Sequence, residues 1–89
     1  MRPYSQVEEG GLIIRTFSED SSDDEFVWHR DQLDREILVI ESDGWQIQFD
    51  NSLPVEMVAG ETLFVSCEQW HRILKGKGSL RILIREFSR

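Results

Sequence analysis

Two histidines and a few carboxylates form the candidate site of this chain. His29 and Asp31 stand two residues apart, so on a strand their side chains point to the same side. Glu36 follows Asp31 by five residues, far enough for the chain to turn and present it from the next strand, and His71 lies much later, after Gly60. Imidazole and carboxylate are ligand types that suit iron, manganese, nickel or zinc. If these side chains converge on a barrel wall with one coordination position open, they form a Lewis-acid or redox centre.

Three tryptophans, Trp28, Trp45 and Trp70, are many for a chain of 89 residues. Large aromatic side chains dominate burial in small domains, so one interpretation is that they fill the core or an interface. The alternative is that one or two of them line a pocket mouth and stack on a ring-shaped ligand. The sequence has no serine–histidine–acid order and no glycine-rich phosphate loop, so no catalytic residue is assigned.

The elements that must position these residues are strands. Short apolar or alternating runs recur at about 8–12-residue spacing, separated by glycine-rich and polar turns, which is typical of a sandwich or barrel. The strand-like runs are 12–17, 26–30, 36–41, 45–50, 55–58, 62–66, 71–74 and 80–86. The polar, acidic stretch 19–25 predicts a loop. We therefore expect an all-β fold, a small antiparallel barrel or sandwich.

The strand patterns also predict which side chains face the core. Asp43-Gly44 between two apolar runs is a hairpin signal. The run that follows it alternates, with Trp45 and Ile47 on one face. The predicted core is Leu38, Ile40, Trp45, Ile47, Leu63, Val65, Ile73, Ile82 and Ile84. In this reading Ile37 and Val39 point the other way and need a cover, which a homodimer would provide.

The spacing around the first histidine resembles a known motif. His29-x-Asp31-x4-Glu36 is similar to the first motif of the cupins, G-x5-H-x-H-x(3,4)-E-x6-G. Asp31 stands where that motif has its second histidine. The two glycine positions of the motif hold Asp23 and Asp43.

A second stretch resembles the second cupin motif, G-x5-P-x-G-x2-H-x3-N. Gly60 and His71 stand at their motif positions, and Ser66, Glu68 and Lys75 replace proline, glycine and asparagine. The resemblance runs from about residue 26 to residue 86. It implies a double-stranded β-helix that often dimerises and often holds a divalent metal.

The resemblance also implies roles for individual residues. It carries metal-ligand roles onto His29, Glu36 and His71, with Asp31 as a fourth. The cofactor would be one divalent transition metal ion of iron, manganese, nickel or zinc. The chain is also similar to small cupins that have lost the full ligand set, and in that case it would bind no metal.

Length, charge and cysteine content bound the remaining possibilities. We expect one domain over residues 1–89, with an N-terminal strand and acidic loop in 1–25 and the barrel core in 26–86. A net charge of −7 opposes binding to nucleic acid, and no run of eighteen apolar residues could span a membrane. The single cysteine, Cys67, excludes an internal disulfide and indicates a reducing cytoplasm.

The sequence is compatible with three classes of function. The first is a protein, non-catalytic or weakly metal-dependent, that binds a small molecule in its barrel. The second is a metal-dependent enzyme of the dioxygenase or isomerase kind, whose small molecule would be a sugar derivative, a carboxylate or an aromatic compound. The third is a metal-free module that binds another protein. The incomplete histidine set favours the first class over catalysis.

Overall fold

Strands account for most of the structure. The computed structural model describes residues 4–18 and 26–87. Within these ranges the strands are β1 (Tyr4–Glu9), β2 (Leu12–Phe17), β3 (Asp34–Glu41), β4 (Gln46–Phe49), β5 (Val55–Glu56), β6 (Thr62–Val65), β7 (His71–Leu74) and β8 (Leu80–Phe87). The predicted all-β fold is confirmed. The acidic stretch 19–25 lies outside the described residues. In the described part of the chain, no helix has the length and apolar character needed to cross a membrane.

The strands form two antiparallel sheets. The larger sheet has the order β1-β2-β8-β3-β6 and the smaller sheet has the order β5-β4-β7. The register of β3 against β8 shifts between Val39 and Glu41, which is the signature of a bulge. The first strand was not predicted from its sequence. It pairs with β2 through a two-residue turn in which Gly10 and Gly11 both have positive φ, as a type I′ hairpin turn requires.

The predicted hairpin at Asp43-Gly44 is wrong. The strands on either side of this turn, β3 and β4, lie in different sheets. The turn instead packs against the loop before β8, where the Lys77 backbone N–H donates to the Asp43 carbonyl at 2.8 Å. Gly76 is required there because a Cβ at that position would overlap the Asp43 and Gly44 backbone. The Asp-Gly signal therefore marks a crossover between the sheets.

The core lies between the two sheets. Its buried apolar residues are Ile13, Phe17, Ile37, Val39, Trp45, Ile47, Met57, Val65, Ile73, Leu80, Ile82 and Ile84, with Leu63 partly buried against them. The predicted direction of β3 is wrong, since Ile37 and Val39 are buried whereas Leu38 is half-buried and Ile40 is 41% exposed. In a strand a shift of one residue moves every side chain to the other face, so all of β3 is inverted relative to the prediction.

An apolar row crosses the outward face of the larger sheet. This outer row consists of the residues Val7, Ile14, Leu83 and Leu38, which are neighbours in register across β1, β2, β8 and β3. Val7 is 62% exposed, and Phe64 on β6 is 56% exposed. An antiparallel sheet with one solvated face usually carries polar side chains there, so this face departs from the common pattern.

Candidate metal centre

Three side chains of metal-ligating type converge at one place. His29, Asp31 and His71 each offer a ligand atom, and these atoms all lie within 4.8 Å of one another. His71 is buried, and the other two are half-buried. The imidazole rings of the two histidines have their centroids 4.3 Å apart.

Backbone hydrogen bonds bring the two histidines together. His71 is the first residue of β7, which pairs with β4 in the smaller sheet. His29 forms an isolated antiparallel bridge with His71, in which the backbone N–H of each residue donates to the carbonyl of the other at 3.0 and 2.9 Å. Paired residues direct their side chains to the same face, so the imidazoles meet.

A second backbone contact places the carboxylate. The Glu68 backbone N–H donates to the Asp31 carbonyl at 2.8 Å. Glu68 has a φ of +63°, a left-handed conformation that redirects the chain just before β7. Asp31 lies two residues after His29, as the sequence spacing requires for a shared face.

The hydrogen bonds of the imidazoles set their tautomers. His29 Nδ1 contacts the Val27 carbonyl at 2.9 Å, and His71 Nδ1 contacts the Gln69 carbonyl at 2.8 Å. A carbonyl oxygen can only accept, so each Nδ1 carries the proton and donates it. The Nε2 atom of each neutral ring then keeps a lone pair, which is the form that binds a metal ion.

The Asp31 carboxylate faces both a histidine and an arginine. Its Oδ2 atom lies 3.3 Å from His71 Nε2, and this buried oxygen accepts no hydrogen bond from any of the described residues. The other oxygen, Oδ1, lies 3.5 Å from Nη1 of Arg35. Burial raises the pKa of the Asp31 carboxyl, but the contact with His71 and the positive charge of Arg35 lower it by more, so the pKa lies below its usual value.

The arrangement fits a divalent transition metal. Two lone-pair nitrogens and an ionised carboxylate form a two-histidine, one-carboxylate donor set, which is typical of non-haem iron sites. Bonds of about 2.1 Å to one ion place two neighbouring ligand atoms roughly 3.0–3.4 Å apart. The 3.3 Å between Asp31 Oδ2 and His71 Nε2 agrees with this spacing. A cation between these atoms would also satisfy the buried oxygen that lacks a hydrogen bond.

The structure does not bring Glu36 to this group. Its neighbours in β3, Arg35 and Ile37, lie on the face of the strand that points toward the core. Glu36 therefore lies on the outward face, where Arg85 is its partner in register. The resemblance implied a ligand role for Glu36, and the phase of β3 places Glu36 on the face away from His29, Asp31 and His71. The carboxylate of the group comes from Asp31, the residue in place of the motif's second histidine.

The three tryptophans occupy two different environments. Trp45 is fully buried, with its ring 6.1 Å from Phe17 and 6.0 Å from Phe26 between centroids, so it is a core residue and does not line a pocket mouth. Trp28 and Trp70 are 41% and 43% exposed. They adjoin the two histidines in sequence and therefore point to the opposite face of the sheet from the imidazoles.

Sequence reasoning missed two features of the site. The first is Arg35, which is half-buried beside Asp31 and donates from Nε to Glu86 Oε2 at 3.0 Å. The second is a repeated tripeptide, since Trp-His-Arg occurs at 28–30 and again at 70–72. The tripeptide is visible in the sequence, but its meaning depends on the antiparallel pairing of the two copies.

Comparisons with known proteins agree with this fold. The sequence matches no family model and no curated protein. A cupin-2 domain-containing protein from Shewanella frigidimarina NCIMB 400 is similar in structure, with a TM-score of 0.64 and 24% identity over 96% of this chain and 80% of that chain. A cupin-domain protein from Bordetella pertussis Tohama I has a TM-score of 0.65 and 10% identity over 99% of this chain and 98% of that chain.

A larger structure is similar as well. The Fe(II) form of HppE in complex with its substrate has a TM-score of 0.67 and 15% identity over 94% of this chain. The match covers 52% of HppE, so this chain spans about half the length of that protein. At identities this low, the structural similarities establish the fold and leave the activity open. Together with the two-sheet architecture, these similarities confirm the predicted resemblance: this chain is a small protein with the cupin fold.

Proposed function

We propose that this protein binds one divalent transition metal ion through His29, Asp31 and His71. The observation that carries the proposal is their convergence, with both histidines holding Nδ1–H against a backbone carbonyl and so turning Nε2 toward the carboxylate. Iron, manganese, nickel and zinc all suit this donor set. Iron is favoured by the likeness to HppE, a protein described in its Fe(II) form.

The residues of the site are prepared for this role by their own partners. The Val27 and Gln69 carbonyls fix the two rings, and Arg35 holds one carboxylate oxygen while the other faces His71. Partners of this kind commonly orient metal ligands and keep them in the binding form.

Three protein ligands leave coordination positions for a small molecule. A metal ion at such a position acts as a Lewis acid or a redox centre. We propose that the ligand is a small molecule with an oxygen donor, of the sugar, carboxylate or aromatic class. Phe49 supports an apolar contact beside the site because its ring lies 6.2 Å from the His71 ring. No reaction is assigned, and binding is the function proposed.

A metal-free role is the second candidate, and one observation favours it. The pair of His71 Nε2 and Asp31 Oδ2 at 3.3 Å is also the geometry of an ion pair. A proton on Nε2 would satisfy both atoms without a metal, and Arg35 already compensates part of the carboxylate charge. In that case the three residues fix the loop before β7, and the protein binds a small molecule or a protein partner elsewhere.

A titration with Co(II) separates the two candidates. The wild type, freed of metal by chelation, is expected to bind one equivalent, and His71→Ala is expected to lose most of that affinity. Glu36→Gln is the matched control, since it changes a predicted ligand that lies on the other face. Failure of the wild type to bind Co(II), Mn(II), Ni(II) or Zn(II) would favour the metal-free role.

We also propose that a second copy of the chain covers the outer row. An apolar row on a sheet face is stabilised when a partner removes it from water. Glu36 and Arg85 are neighbours in register beside this row, so the face carries both charges and is complementary to itself, as a two-fold interface requires. Light scattering is expected to give twice the mass of 10.5 kDa, and a mass near 10.5 kDa at low micromolar concentration would contradict the dimer.

Charge and cysteine content support three further proposals. A net charge of −7 disfavours a nucleic acid partner, because a phosphate backbone would be repelled over most of the surface. The same negative charge would be repelled by phosphate groups at a membrane surface, and the sequence has no run of eighteen apolar residues. Both features favour a protein that does not bind membranes. One unpaired cysteine, Cys67, favours a cytoplasmic location. Cell fractionation of the native protein tests the location.

A further inference from the structure

The two copies of the Trp-His-Arg tripeptide face each other in the fold. His29 pairs with His71 in antiparallel orientation, so Trp28 lies opposite Arg72 and Arg30 lies opposite Trp70. Strand side chains alternate between faces, which sends the imidazoles to the metal site and the tryptophans and arginines to the outside. The two tripeptides are thus related by an approximate two-fold axis through the histidine pair.

Each outward pair makes a close contact between a cation and an aromatic ring. The Arg72 guanidinium carbon lies 4.8 Å from the centroid of the Trp28 ring, and that of Arg30 lies 5.2 Å from the centroid of the Trp70 ring. Distances within about 6 Å are attractive. Arg72 also donates from Nε to Gln48 Oε1 at 2.9 Å, which ties one pair to β4.

The segment that carries His29 depends on these contacts more than the rest of the site does. His71 belongs to a regular strand, whereas His29 lies in no strand and joins β7 through an isolated bridge of two hydrogen bonds. Among the described residues, one further backbone hydrogen bond, from Glu68 to Asp31, attaches the same segment. Segments with few backbone bonds open at low free-energy cost, and opening here would remove two of the three ligands.

We propose that Trp28, Arg72, Arg30 and Trp70 are positioning residues for the metal site. They act as a clamp on its outer side that holds the His29 segment in register with β7. The inference rests on the proposed metal-binding function. Apparent metal affinity is the intrinsic affinity multiplied by the fraction of molecules in which the segment is closed, so weakening the clamp weakens metal binding without changing a ligand.

The expected effect follows from the size of such contacts. Removal of one pair is expected to lower Co(II) affinity by up to about fivefold, and removal of both by up to about 25-fold. Both tryptophans are more than two-fifths exposed, so their truncation leaves the buried core intact. The global unfolding midpoint should therefore change little, while metal affinity changes clearly.

The test compares Trp28→Ala, Trp70→Ala and the double variant with wild type in Co(II) titrations followed by visible absorption. Trp28→Phe keeps an aromatic face for Arg72 and should restore most of the affinity. Phe64→Ala is the matched control, because Phe64 is an exposed aromatic residue on the other sheet. If the wild type binds Co(II) and the double variant binds it equally well, the clamp is refuted while the proposed metal function stands.

A metal-free measurement keeps the inference testable if the wild type binds no metal. Hydrogen exchange of the His29 and His71 backbone amides reports directly on the bridge between them. In the double variant both amides should exchange at least fivefold faster, whereas the amide of Ile73 should be unchanged. Equal exchange at His29 in wild type and double variant would overturn the clamp, whatever the outcome of the metal titration.

Discussion

Replacing Asp31 by asparagine removes the one carboxylate of the candidate metal centre while keeping its size. In the metal-free protein a protonated His71 Nε2 faces this carboxylate at 3.3 Å, Arg35 lies 3.5 Å away, and the Asp31 side chain is 10% exposed. Interactions of this kind with charged groups contribute about 1.5–3 kcal/mol. We expect Asp31→Asn to lower the free energy of unfolding by about that amount at pH 7, which is a drop of roughly 6–24 °C in the midpoint.

The loss should depend on pH in a definite direction. The pKa of Asp31 is lowered in the folded protein, so its carboxylate stabilises the fold above the unfolded pKa of about 4. This stabilisation disappears as the pH falls through the lower, folded pKa. The difference between wild type and Asp31→Asn should therefore be full at pH 6–7, shrink below pH 4 and approach zero in stronger acid.

Urea unfolding of both proteins at several pH values, with chelator present, measures this difference. Asp50→Asn is a suitable control because Asp50 is exposed. A difference that stays constant from pH 7 to pH 3 would refute the role of the Asp31 charge. A difference near zero at pH 7 would refute its contacts with Arg35 and His71.

Three other predictions test separate parts of the account. Trp45→Ala should lower the free energy of unfolding in urea by about 3–5 kcal/mol because it leaves a cavity in the core, whereas Trp70→Ala should lower it by about 1 kcal/mol or less. Similar losses in the two variants would contradict the buried and exposed environments of these tryptophans. Glu36→Gln should keep its Co(II) affinity within a factor of two of the wild-type value, and a tenfold loss would indicate that Glu36 is a metal ligand. Leu83→Glu should convert a dimer to monomers in light scattering, and an unchanged mass would exclude the outer row as the interface.

The strand content of this fold was predictable, and the direction of β3 was not. Alternation located the β4 and β8 strands because one face of each is clearly apolar. In β3 both faces are apolar, since Ile37 and Val39 alternate with Leu38 and Ile40. Periodicity cannot decide between two such faces, and the prediction chose the face of Leu38 and Ile40, which points outward.

Part of the candidate metal centre was predictable from the sequence. The His-x-Asp spacing correctly indicated two side chains on one face, and the second motif supplied His71 as their partner. The contact between Arg35 and Asp31 could not be predicted, because it depends on the β3 side chains facing the opposite way from the prediction. The Asp43-Gly44 turn failed for a related reason, since its chemistry fixes a tight turn but not the sheet that the next strand joins.

The most direct test of the central claim is the position of a bound metal ion. Crystals of the protein with Co(II), recorded at the cobalt absorption edge, give an anomalous peak wherever the ion binds. The account predicts one strong peak within bonding distance of His29 Nε2, His71 Nε2 and the Asp31 carboxylate. A peak coordinated by Glu36 on the outward face, or no peak at the three residues in a crystal soaked at saturating Co(II), would contradict it.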